Sequence, residues 1–106
     1  MKQQSNSVTS EWDFHATAFF NTKKAAKEEE NDIKKVGAYY ANAYPVDDGW
    51  MVDFTVRLTV SLPAKKKATF KTLHDFYSKW ADKNRLGYWW NCSYADNAVT
   101  GERVSE

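Results

Sequence analysis

The segment "GWMVDFTVRLTVSLP", Gly49 to Pro63, constrains the fold more than any other part of the chain. Trp50, Val52, Phe54, Val56, Leu58, Val60 and Leu62 fill its even positions, and Met51, Asp53, Thr55, Arg57, Thr59 and Ser61 its odd ones. Successive side chains of a strand point to opposite faces, so a period of two over this length predicts one long strand, apolar on one side only. The even face needs a second layer to cover it. The odd face, with its Asp, Arg and hydroxyls, is left for solvent or for a partner.

The rest of the chain supplies that layer. "EWDFHATAFF" alternates in the same way, with Trp12, Phe14, Ala16, Ala18 and Phe20 on one face and Asp13, His15, Thr17 and Phe19 on the other. "NTKKAAKEEENDIKKVG" changes period. Asn21 or Thr22 can cap a helix, Ala26, Ile33 and Val36 form a thin apolar stripe, Glu30 and Lys34 form an i,i+4 pair, and Gly37 is a stop. The mixed charges of "KEEENDIKK" read as a solvated helix face. "AYYANAY" predicts a short strand whose buried face the pattern leaves open, and "PVDDG" a turn into the long strand.

Beyond Pro63, the apolar residues Phe70, Leu73, Tyr77 and Trp80 recur at helical spacing. The helix they predict begins between Ala64 and Thr69 and ends near Asn84, and Gly87 resets the backbone. "YWWNCSY" predicts a last strand with Tyr88, Trp90, Cys92 and Tyr94 on one face and Trp89, Asn91 and Ser93 on the other. This gives a ferredoxin-like βαββαβ sandwich, a four-stranded antiparallel sheet in the order 4-1-3-2 with two helices on one face. Residues 11–95 form this single domain, residues 1–10 read as a flexible arm, and residues 96–106 as a polar, frayed tail.

Bulk properties narrow the function classes. The 106 residues carry a formal net charge of +1, which favours neither an acidic nucleic-acid mimic nor a phosphate-dependent binder. Five Trp, six Tyr and six Phe suit a small two-layer domain that fills its core with large side chains. Cys92 stands alone, which suits a reducing compartment. "MKQQSNSVTS" has no apolar stretch of the signal-peptide kind and no run reaches membrane-spanning length, so a cytoplasmic chain without membrane contact is expected. Phosphate-loop, nucleophile and metal-ligand spacings are absent, so no cofactor or metal is expected.

In the predicted sheet, His15 and Phe19 share the open face with Asp53 and Arg57, and Trp89 can add an aromatic anchor from the last strand. Arg and Trp often dominate interfaces. This set is the candidate surface for a protein partner. Two other readings stay open. A sheet-paired homodimer can form an α+β barrel with a monooxygenase-type pocket near His15, Asn91 and Trp89. Aromatic residues on central strands can stack RNA bases, although the basic-Gly-aromatic signature of such modules is missing. The chain is expected to be a monomer or a homodimer.

Three stretches carry a family resemblance: "FHATAFFNTKKAAKEEENDIKKVG", "DDGWMVDFTVRLTV" and "FYSKWADKNRLGYWWNCSY". Together they resemble the RNase E inhibitor RraB family, small bacterial proteins of βαββαβ order. The resemblance implies a non-enzymatic regulator or inhibitor that binds another protein, an RNA-processing nuclease.

Overall fold

The computed structural model describes residues 7–86 and 90–106. The elements run β1 (Ser7–Phe20), α1 (Lys23–Lys35), β2 (Tyr40–Val46), β3 (Gly49–Pro63), α2 (Phe70–Lys83), β4 (Asn91–Asn97) and β5 (Arg103–Ser105). The fold is α+β. Its antiparallel sheet has five strands in the order β2-β3-β1-β4-β5. The expected order of the first four strands is present, and a fifth strand, absent from the four-stranded expectation, is added beside β4.

The even faces of β1 and β3 form the core, as their alternation requires. Trp12, Phe14, Val52, Phe54, Val56 and Val60 are buried in one cluster with Ala26 and Ile33 of α1 and Leu73 and Tyr77 of α2. A single shared core means that both helices lie on the same side of the sheet. The edge strand β2 contributes Ala41 and Ala43 to that side, which settles the face its pattern left open.

Local chemistry sets the helix ends. Thr22 accepts a hydrogen bond from the Ala25 N–H at 3.1 Å, and Thr69 and Thr72 form a reciprocal capping box at the start of α2. Gly37 closes α1 with φ +114, while the Ala38 N–H donates back to Ile33 O at 3.3 Å. α2 closes on Arg85 instead of on a glycine. Arg85 takes φ 60, and the Leu86 N–H donates to Ala81 O at 2.9 Å. The predicted reset at Gly87 lies outside the described residues.

Two terminal segments join the sheet. Ser7–Ser10, assigned to the flexible arm, pair with Val60–Pro63. The expected tail carries the end of β4, then a turn, then β5. Asn97 Oδ1 accepts from the N–H groups of Val99 and Thr100, both at 2.9 Å, and Gly101 takes φ +79. The Asn97 N–H donates to Glu102 O at 2.8 Å, which brings β5 alongside β4.

Candidate functional site

The face of the sheet opposite the helices carries the polar rows. Across β3 and β1 the register pairs Asp13 with Arg57, His15 with Thr55, Thr17 with Asp53 and Phe19 with Met51. The predicted open-face set is therefore brought together as neighbours, with Trp89 lying outside the described residues. Phe19 is half exposed, Arg57 is exposed, and His15 and Asp53 are partly covered.

A β-bulge in β4 brings to this face Tyr94, which the alternation had assigned to the other. His15 faces Tyr94, but the next residue, Ala16, faces Cys92, so Ser93 is the extra residue of β4. The phase of the strand changes there. Trp90 and Cys92 are buried on the helix side before the bulge, and Ala95 is buried after it. Tyr94 consequently turns to the open face and stacks on His15, with ring centroids 4.8 Å apart. Asp96 and, from β5, Arg103 follow onto the same face.

These side chains form two linked groups. Arg57 donates twice to Asp13, from Nε at 2.7 Å and from Nη2 at 3.0 Å, and its guanidinium lies 5.3 Å from the centre of the Tyr39 ring. Arg103 repeats the arrangement on Asp96 at 2.7 and 3.1 Å, and lies over the Tyr94 ring at 4.3 Å. The Arg57 hydrogen bond, opposed by partial burial, holds the Asp13 carboxyl below its ordinary value, and Arg103 does the same to Asp96. His15 sits between the groups. Its Nδ1 is 3.0 Å from Thr55 Oγ1, and its Nε2 lies 3.2 Å from Asp96 Oδ2, at an angle short of hydrogen-bond alignment.

Thr55, His15 and Asp96 stand in the order of a hydroxyl–imidazole–carboxylate triad. The arrangement does not present a nucleophile. Thr55 is buried, and Asp96 is already engaged by Arg103. The neighbouring hollow holds about 210 Å³ and is lined by His15, Thr17, Tyr40, Asp53, Thr55 and Tyr94, among others. Tyr40 pairs with Thr55 and is exposed, and the Tyr44 hydroxyl donates to Asp53 at 3.3 Å. The open face is thus a rigid polar centre rimmed by Phe19, Tyr39, Tyr40, Tyr44 and Tyr94. Sequence reasoning missed Tyr94, Asp96 and Arg103. The available signal was the turn chemistry of "DNAVTG", which predicts a hairpin at the end of the chain.

Among the described residues there is no cluster of His, Cys, Asp and Glu suited to a metal ion, and no helix is long and apolar enough to cross a membrane. In comparisons with known proteins, no family model, no curated protein and no solved structure matches the chain.

Proposed function

We propose that this chain is a non-enzymatic regulator or inhibitor that acts by binding another protein through the open face of its sheet. The carrying observation is the rim of exposed aromatics around a centre whose ion pairs are already made. Phe19, Tyr39 and Tyr40 are large apolar groups left half in water, and each is anchored in or beside a paired strand. Aromatic and Arg side chains on a rigid frame supply contact area at low entropic cost, which is the usual make-up of interface hot spots. The centre presents its ion pairs ready-made, Asp13 with Arg57 and Asp96 with Arg103, which fixes the charge pattern a partner has to complement.

The βαββαβ order supports a ferredoxin-like sandwich extended by one strand. Within the RraB resemblance, the partner is an RNA-processing nuclease. The lone buried Cys92 suits a reducing compartment such as the cytoplasm. Three carboxylates on the open face, Asp13, Asp53 and Asp96, disfavour a phosphate backbone as the ligand.

The test is capture from cell lysate with the tagged chain, followed by reconstitution with the purified partner. Tyr40→Ala and Phe19→Ala should each weaken the reconstituted complex at least tenfold, whereas Lys71→Ala on α2 should leave it unchanged. Salt-sensitive retention of RNA with no protein partner would refute the reading.

A further inference from the structure

The other side of the molecule holds a larger recess that the open-face reading does not use. A cleft of about 740 Å³ lies between α2 and the start of β4. That volume is in the range of small-molecule sites.

We propose that this cleft binds a small amphiphilic organic cation, an apolar ring system bearing a protonated amine. One wall is aromatic. Phe70, His74 and Tyr77 follow one another along α2 with ring centroids 5.2 and 5.6 Å apart. Trp90, just before β4, and Cys92 of β4 contribute apolar surface, and Ser78 and Ala81 add small side chains on the α2 side. The Ser78 hydroxyl and His74 Nδ1 lie 3.3 Å apart, a polar pair within the lining.

The rim sets the sign of the ligand. Asp75 and Asp82 from α2 and Glu106 after β5 line the cleft, against the single ammonium of Lys71. All these charged residues are exposed, so the field acts at the mouth while the rings act inside. A cation gains from the carboxylates and from the ring faces together, and an anion of the same shape loses on both counts. The Cys92 thiol does not alter this balance, because burial pushes it up to about 11 and keeps it neutral at physiological pH.

The test uses one ring with three charges. 1-Naphthylmethylammonium, 1-naphthylmethanol and 1-naphthoate are titrated into the isotope-labelled full chain, and backbone amide shifts are followed by NMR. The cation should bind at least fivefold more tightly than the alcohol and more tightly still than the carboxylate, with shifts centred on Ser78, Ala81 and Cys92. The double variant Asp75→Asn/Asp82→Asn should bring cation and alcohol to within twofold. Equal or reversed ranking, shifts centred on Thr17, Thr55 and Tyr94, or no shift up to the solubility limit would overturn the proposal.

Discussion

Replacing Gly49 by alanine tests how the open-face aromatic Phe19 is held. Gly49 opens β3, and the Phe19 ring of β1 lies across it. A Cβ added at Gly49 would come within 2.7 Å of Phe19 Cε1 and 2.6 Å of the Phe20 carbonyl oxygen. The ring can rotate away, but the carbonyl belongs to a paired strand and cannot. Overpacking of this kind costs about 1–3 kcal/mol. Phe19 is 48% exposed, so about half the value of a buried Phe, about 1 kcal/mol, depends on its present position. Gly49→Ala should therefore lose about 2 kcal/mol, with Phe19→Ala losing about 1 kcal/mol by itself. In the double variant only the clash with Phe20 O remains, so the two effects should fall short of additivity by about 1 kcal/mol. Urea unfolding followed by tryptophan fluorescence reads all three, with the midpoint of Gly49→Ala falling by about 1 M at unchanged slope. A Gly49→Ala variant within about 0.3 kcal/mol of wild type, or strict additivity, would refute the close packing of Phe19 on Gly49.

Acid should destabilise the chain through Asp13 and Asp96. Both carboxyls are lowered from 3.8 by their Arg partners, so between 3.8 and the folded values the folded state binds fewer protons than the unfolded one. Their stabilisation is complete above the unfolded value and is lost as the pH falls through the folded ones. The urea midpoint should drop below pH 4, and Asp13→Asn and Asp96→Asn should each flatten that drop; an unchanged profile in both variants would contradict the ion-pair geometry. Deleting Ser93 removes the extra residue of the bulge and leaves Cys92, Tyr94 and Ala95 opposite Ala16, His15 and Phe14 in plain alternation, so Tyr94 should still face outward. Proton NMR should then retain the ring-current shifts from the His15–Tyr94 stack; their loss would show that Ser93 is not the residue that absorbs the bulge.

Much of the frame was legible in the chain itself. The period of two in Gly49–Pro63 and in "EWDFHATAFF" named the buried rows of β3 and β1, because alternation is a property of each strand alone. Asn21 or Thr22 and Gly37 announced the ends of α1, because capping joins residues within a turn of one another, whereas the start of α2 was bounded only to Ala64–Thr69. Register then followed far enough to set His15, Phe19, Asp53 and Arg57 on a common face. Tertiary structure decided the rest of the site. Whether Tyr94 faces the core or the open side depends on one unpaired residue, Ser93, and a bulge is defined only against the partner strand. The Asp96–Arg103 pair exists only because β5 folds back on β4, and the cleft beside α2 exists only where that helix meets the start of β4. Periodicity and caps are local, so the sequence displays them. Register shifts and clefts arise from how distant segments meet, and no short stretch of residues carries that information.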